Sequence, residues 1–155
     1  MTPPLERIRV SRQAREQLIK LKRVTGLQHW NTICRWAFCV SLSDPTPPAN
    51  TRIALDSNVE MSWRTFGGRD EAVFHGLLLL RCQQDGLGSD QEVVASQFLL
   101  HLHRGIAYLA GNSEISSIES LLSLATQDQG GLSCELTDLP QDKYLVYEAP
   151  ATAAS

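Results

Sequence analysis

The side chains with the clearest chemical potential are the positive charges gathered near the amino terminus. Residues 1–40 hold eight lysines and arginines against two glutamates, a net charge of +6. Residues 41–155 hold six basic and fifteen acidic residues, so the overall charge of −3 conceals a separation of charge along the chain. A cationic end on an acidic protein predicts a localised anion-binding face, with nucleic acid as one ligand class. A solvated, charged helix surface is the alternative.

The first of these charges lie on a predicted strand over residues 6–10. Ile8 and Val10 alternate with Arg7 and Arg9, which is typical of a short strand with one buried and one basic face.

The next charges lie on a predicted helix over residues 12–25. Ser11 is a suitable N-cap, and Gly26 supplies a stop because glycine adopts the left-handed conformation at little cost. At roughly 100° per residue, five basic residues fall within an arc of about 160°, and the apolar residues lie opposite. The pattern therefore predicts a helix that packs with one face and presents cations on the other.

Residues 30–42 predict a second helix of a different kind. Apolar side chains surround its axis almost completely, and Arg35 is its only charge. A helix that is apolar all round must be buried on all sides. Two explanations stay open here: a partner subunit covers part of it, or it is the central helix of a monomeric bundle.

The rest of the chain predicts two further core helices and an acidic extension. Residues 43–50 form a proline-rich connector, and residues 59–66 are ambiguous between a strand and a helical turn. Helices are predicted over residues 70–84 and, after a Ser89–x–x–Glu92 capping box, to about residue 110. We therefore predict a helical domain over residues 1–110 and an acidic extension over 111–155. The extension has one short helix at 115–125 and is otherwise loosely attached or disordered.

No pattern of catalytic residues is found. His101 and His103 point about 200° apart on a helix and cannot share a metal ion. The chain has no H-E-x-x-H, P-loop or G-x-S-x-G motif, and its four cysteines lack paired spacing and are predicted to be buried free thiols. We expect no catalytic residue, metal or cofactor. A nicking nuclease is the alternative, and it would require acidic residues such as Asp56, Glu60 and Asp70 to hold Mg²⁺.

Targeting and membrane signals are also lacking in the sequence. No uninterrupted apolar run, the leucines of residues 77–80 included, exceeds five residues, far short of the roughly 20 residues of a membrane helix, and residues 1–10 have no apolar signal core. We therefore expect a cytoplasmic protein.

The order strand, helix, turn, helix is that of a ribbon-helix-helix unit. Such units dimerise by pairing their strands, and a two-stranded ribbon fits the major groove of B-DNA. The amino terminus of the second helix can also receive a backbone phosphate through its free amides. A small helical domain with a basic surface would show the same order. The candidate DNA-binding residues are Arg7, Arg9, Arg12, Arg15, Lys20, Lys22, Arg23 and Asn31.

Several segments of the chain resemble a known family. They are LERIR (5–9), WN (30–31), CRWAFC (34–39), DSNVEMSW (56–63), FGG (66–68), RC (81–82), QDGLG (84–88) and HLHRGIAYL (101–109). Together they resemble DndE, the small protein of bacterial DNA phosphorothioation, also called DNA sulfur modification. The resemblance covers about residues 5–110.

This resemblance implies both an assembly and a function. It implies a compact homo-oligomer, expected to be a tetramer, on a ribbon-helix-helix-like core. It implies binding to double-stranded DNA, with a preference for nicked duplex, and cooperation with other Dnd proteins that include a cysteine desulfurase, an iron–sulfur protein and an ATPase. DndE itself is not expected to carry the sulfur chemistry. The expected function is a non-catalytic DNA-binding subunit. The alternatives are a nicking endonuclease and an assembly scaffold without direct DNA affinity.

Overall fold

A computed structural model describes residues 2–127. Its elements, in chain order, are β1 (Arg7–Arg9), α1 (Arg12–Thr25), α2 (Trp30–Ser43), β2 (Glu60–Ser62), α3 (Trp63–Gly67), a 3-10 turn (Gly68–Asp70), α4 (Glu71–Gln84), α5 (Gln91–Gly111) and α6 (Ile118–Gln127). The predicted mainly helical class is confirmed. The loosely attached or disordered tail predicted for the end of the chain falls, from residue 128 onward, outside the described residues.

Strand β1 pairs within its own chain. It runs antiparallel to β2, with Ile8 opposite Met61 and Arg9 opposite Glu60. Residues 59–66, ambiguous from sequence, contain both a strand and the start of a helix. The β-α-α order is present, but one edge of β1 is occupied by β2. Pairing of β1 between subunits, as in a ribbon-helix-helix dimer, therefore stays a prediction and would have to use the opposite edge.

Helix α1 has the bounds that its capping residues predicted. The Ser11 hydroxyl accepts a hydrogen bond from the Ala14 amide at 3.1 Å, which satisfies one free donor of the first turn. At the other end Gly26 has a φ of 73°, and its amide donates to the Lys22 carbonyl. Ala14, Leu18 and Leu21 are buried, so the apolar side of α1 faces the core as expected.

Helices α2 and α5 form the centre of the core. The two backbones approach so closely at Gly105 that a Cβ built there would lie 1.7 Å from the Ala37 carbonyl oxygen. Phe38 of α2 packs against Phe66 and Phe98, with ring centroids 5.8 and 5.2 Å away. This packing explains most of the apolar surface of α2 inside a single chain, which favours the central-helix interpretation.

The remaining sides of α2 are not fully covered. Trp36 and Val40 are half-buried, and Cys39 is exposed. The prediction that all cysteines are buried is therefore wrong for Cys39. Burial is right for Cys34 and Cys82, and Cys134 lies outside the described residues.

Helix α5 does not begin with the predicted capping box. Its N-cap is Asp90, whose side chain makes no capping hydrogen bond, and the first helical residue is Gln91. The Gln91 side chain instead donates to the carbonyls of Pro3 and Pro4 at 2.7 and 2.8 Å. A contact with the amino-terminal segment is thus present in place of the reciprocal hydrogen bonds predicted between Ser89 and Glu92.

Helix α6 joins the same core. Leu121 is 1% exposed and Ile115, just before the helix, is 6% exposed. Helix α6 packs against α1. The short helix predicted at residues 115–125 is thus present, displaced by about one turn.

Candidate nucleic-acid interface

The two strand arginines share one carboxylate. Arg7 Nη1 lies 3.0 Å from Glu60 Oε1, and Arg9 Nε donates to Glu60 Oε2 at 3.0 Å. The side chains of Arg7 and Arg9 are 79% and 50% exposed, as their alternation with Ile8 predicted. The hydrogen bond from Arg9, together with the charges of both arginines, holds the pKa of Glu60 below its usual range. Glu60 thus occupies the position of an anion between two exposed guanidinium groups.

The sequence pointed to Glu60 only as a carboxylate that a nuclease would need for Mg²⁺, and its pairing with the strand arginines was not predicted. A signal for its position exists, because buried Val59, Met61 and Trp63 alternate with exposed Glu60 and Ser62. That alternation would have placed Glu60 on the solvent face of a strand. Its pairing with Arg9 spans 51 residues of sequence, which no local pattern reveals.

The cations of α1 divide into free and engaged side chains. Arg12 and Arg23 are exposed, and among the described residues their guanidinium groups have no hydrogen-bond or ion-pair partner. They lie about 20° apart on the helix and roughly 16 Å apart along it, so they project from one face.

The engaged cations of α1 each have a different partner. Arg15 pairs with Glu16 at 2.8 Å, Lys20 Nζ donates to the Ala110 carbonyl at 2.7 Å, and Lys22 lies 4.2 Å from the ring centroid of Trp30. The first is an exposed ion pair, which contributes little to stability and is readily exchanged for another anion.

Asn31 serves the fold. Its amide nitrogen donates to the Thr65 carbonyl at 3.0 Å, and its Oδ1 accepts from the Thr32 amide. Arg35 also donates to the Thr65 and Phe66 carbonyls. Both side chains therefore fix the carboxyl end of α3 against α2, whereas the other seven predicted residues lie on β1 and α1.

A buried polar network lies on the other side of α2. His101 Nδ1 and the Ser41 hydroxyl are 2.9 Å apart, and Arg104 Nε donates to the same hydroxyl at 2.8 Å. Burial and the neighbouring arginine charges lower the pKa of His101 to about 4. Ser41 and His101 are each 0% exposed, so this serine–histidine pair is closed to substrate.

The same network holds the proline-rich connector. Arg81 donates to the carbonyls of Leu42, Asp44 and Thr46 at 2.7–3.0 Å, while its Nε pairs with Asp85 at 2.9 Å. The Tyr108 hydroxyl donates to Asp44 at 2.8 Å. Hydrogen bonds from Thr46, and then from Tyr108, hold the pKa of Asp44 well below its usual range. These side chains act as supports for the loop after α2.

Within residues 2–127, no group of three or more histidine, cysteine or acidic side chains has an arrangement that could hold a metal ion. None of the helices in that part of the chain is long and apolar enough to cross a membrane.

A comparison of the sequence with models of protein families shows which family the chain belongs to. The model for DNA sulphur modification protein DndE matches residues 7–117, which include β1, both strand arginines and all of α1. The chain belongs to the DndE family. The resemblance inferred from the sequence segments is thereby confirmed, and α6 lies just beyond the matched region.

Solved structures of DndE agree with this assignment. The crystal structure of DndE from Escherichia coli B7A, a protein involved in DNA phosphorothioation modification, is similar with a TM-score of 0.59 and 25% identity. The structure of a DndE G21/24K mutant is similar in fold, with a TM-score of 0.55 and 23% identity. Each match covers 70% of this chain and 99% of the other. A search of curated proteins finds no match.

Proposed function

We propose that this member of the DndE family is a non-catalytic DNA-binding subunit of the phosphorothioation machinery, which acts with other Dnd proteins on duplex DNA, nicked duplex included. The observation that carries the proposal is the exposure of cationic side chains on both β1 and α1. Arg7, Arg9, Arg12 and Arg23 are all exposed there. Exposed guanidinium groups suit phosphate recognition because they are always charged and can form two parallel hydrogen bonds.

The structure suggests how the strands contribute. A ribbon that enters the major groove would here be the β1–β2 pair of one chain, with Arg7 and Arg9 on its exposed face. A DNA phosphate would compete with Glu60 for these arginines. Self-association, expected as a tetramer from the family resemblance, would multiply the cationic surfaces offered to one duplex.

A double charge reversal, Arg12→Glu with Arg23→Glu, is the direct test. We expect duplex affinity at moderate salt to fall by about tenfold or more. The negative slope of log K against log salt should become shallower by about 2, because two phosphate contacts disappear. The two changes have opposite effects on the α1 dipole, so the helix is expected to persist. Gel-shift titration at several salt concentrations measures both quantities.

The control is Arg69→Glu, which reverses an exposed arginine outside β1 and α1. It is expected to leave the salt slope unchanged. Unchanged binding by the double variant would remove the α1 assignment. Wild-type protein that co-purifies with other Dnd proteins yet shows no DNA affinity at physiological salt would favour the scaffold function instead.

Glu60→Gln tests whether Glu60 competes with DNA phosphate for the strand arginines, and here tighter binding is the expected result. Loss of the carboxylate frees Arg7 and Arg9 for phosphate, so we expect duplex affinity to rise by about three- to tenfold and its salt dependence to steepen. Fluorescence anisotropy with a labelled duplex measures the change. Glu92→Gln removes the same charge from an exposed side chain that makes no ion pair within residues 2–127, and it controls for net charge. Weaker binding by Glu60→Gln would contradict competition.

A further inference from the structure

Helix α1 carries an exposed aliphatic side chain between two arginines. Ile19 is 39% exposed, and the guanidinium groups of Arg12 and Arg23 have no partner within residues 2–127. At about 100° and 1.5 Å per residue, Ile19 lies within roughly 40° of both arginines, about 10 Å along the helix from Arg12 and about 6 Å from Arg23. We name these three residues the α1 face. A phosphate can pair with the arginines, but only a ligand with both acidic and aliphatic groups has a partner for all three side chains.

The residues that follow α6 have this composition. Residues 1–127 carry thirteen basic and twelve acidic residues, a net charge of +1, whereas residues 128–155 carry one lysine and five acidic residues, a net charge of −4. Three of those five carboxylates, with two leucines among them, occur in the sequence ELTDLPQD (135–142), which we name the acidic segment. It lies beyond the region matched by the family model, residues 7–117. Charge complementarity within the chain therefore joins the α1 face to the acidic segment.

The acidic segment is also within reach of the α1 face. Helix α6 packs against α1 and ends at Gln127, and the axes of packed helices are typically about 8–10 Å apart. The chain from residue 127 to residue 135 can span up to about 26 Å when extended, more than the length of α1, about 21 Å. Its carboxylates at 135 and 142 can lie up to about 23 Å apart, which exceeds the roughly 16 Å between Arg12 and Arg23.

We propose that the acidic segment docks on the α1 face of its own chain and competes with DNA for it. The carboxylates pair with Arg12 and Arg23, and the leucines cover Ile19. Single ion pairs at a surface are weak, but a short tether gives the segment an effective concentration in the millimolar range. DNA binding at α1 then requires displacement of the segment, so the segment sets the apparent affinity.

This inference rests on the proposed function for its effect on DNA affinity, whereas the docking itself does not involve DNA. The first experiment therefore tests docking alone. In the full chain, Arg12→Lys and Arg23→Lys, made separately, keep the charge and supply an amine that a carbodiimide joins directly to a neighbouring carboxylate. Arg69→Lys does the same at an exposed arginine outside α1 and is the matched control.

We expect peptide mapping to find cross-links within one chain from residues 135–142 to residues 12 and 23. Their yield should exceed that at residue 69 by about tenfold or more, because tethered docking concentrates the carboxylates at one site. The difference should vanish in about 1 M salt, where screening reduces the range of charge interactions to about 3 Å. Equal yields at the three positions overturn the proposal. Cross-links only between two chains assign the α1 face to a second copy and also overturn it.

The second experiment tests the competition. A full-length triple variant, Glu135→Gln with Asp138→Asn and Asp142→Asn, is expected to bind a labelled duplex about fivefold or more tightly than the wild type, because the arginines no longer have an internal partner. The control variant, Asp70→Asn with Asp90→Asn and Glu92→Gln, makes the same changes at exposed residues that form no ion pair within residues 2–127. Its affinity should change by less than about twofold.

Fluorescence anisotropy measures these affinities. Wild-type affinity in the acidic-segment variant, or an equal rise in the control variant, overturns the competition. Absence of duplex binding by the wild type and by both variants contradicts the proposed function instead, and the cross-linking result then decides the docking by itself.

Discussion

Replacement of Gly105 by alanine is expected to destabilise the protein by roughly 4 kcal/mol or more. The added methyl group would lie 1.7 Å from the Ala37 carbonyl oxygen and 2.3 Å from its carbonyl carbon. These are backbone atoms of α2, so no change of side-chain rotamer relieves the clash, and the two central helices must separate. Because domains of this size are stable by about 5–15 kcal/mol, the loss is a large fraction of the total. Urea unfolding followed by circular dichroism measures it.

Gly111→Ala is the matched control, since it makes the same substitution on the same helix. A Cβ at residue 111 meets no atom within 4 Å, so the change is expected to be neutral or slightly stabilising. Adding Ala37→Gly to Gly105→Ala should restore little, because the clash is with the backbone of residue 37. Wild-type stability in Gly105→Ala would show that α2 and α5 can separate without cost, contrary to their packing here.

Replacement of Arg81 by alanine has the second large expected effect, a loss of about 3–5 kcal/mol. Arg81 is 5% exposed, and its removal leaves the Asp85 carboxylate, itself 7% exposed, without its partner. It also leaves the Leu42 and Asp44 carbonyls without a guanidinium donor, and the Thr46 carbonyl keeps only its hydrogen bond from Arg104. The connector after α2 should loosen, so limited proteolysis is expected to cut within residues 43–50 faster than in the wild type.

The double variant Arg81→Ala with Asp85→Ala separates charge from packing. Removing both members of a buried pair should recover part of the stability, because no uncompensated carboxylate remains. Arg69→Ala, at an exposed arginine, should change stability by less than about 0.5 kcal/mol. Equal losses from Arg81→Ala and Arg69→Ala would refute the role assigned to the buried guanidinium.

Local signals predicted α1 best. Its start and end depend on Ser11 and Gly26, and both act within a few residues of themselves. Strand β1 and its outward arginines were predictable for the same reason, since alternation is read from adjacent residues. The family could also be assigned from the sequence, because the resemblance depends on short segments of residues and not on their geometry.

The long-range partners could not be predicted. Three contacts join distant segments: Arg9 with Glu60, Gln91 with Pro3 and Pro4, and Asn31 with the Thr65 carbonyl. Which side of α4 faces the core was also hidden, because its leucines occur on both sides of the helix. A helix wheel reports one buried side only when the other side is polar.

The central packing of α2 against α5 has a consequence for how the chain folds. Ser41 and His101 are 60 residues apart in sequence, and the docking of their helices closes a long loop before much core is gained. Contacts of such separation raise the contact order, which slows folding relative to bundles whose neighbouring helices pack in sequence. The docking of these two helices is therefore expected to limit the folding rate, together with the β1–β2 pairing, which spans 51 residues, and α1 is expected to form before either.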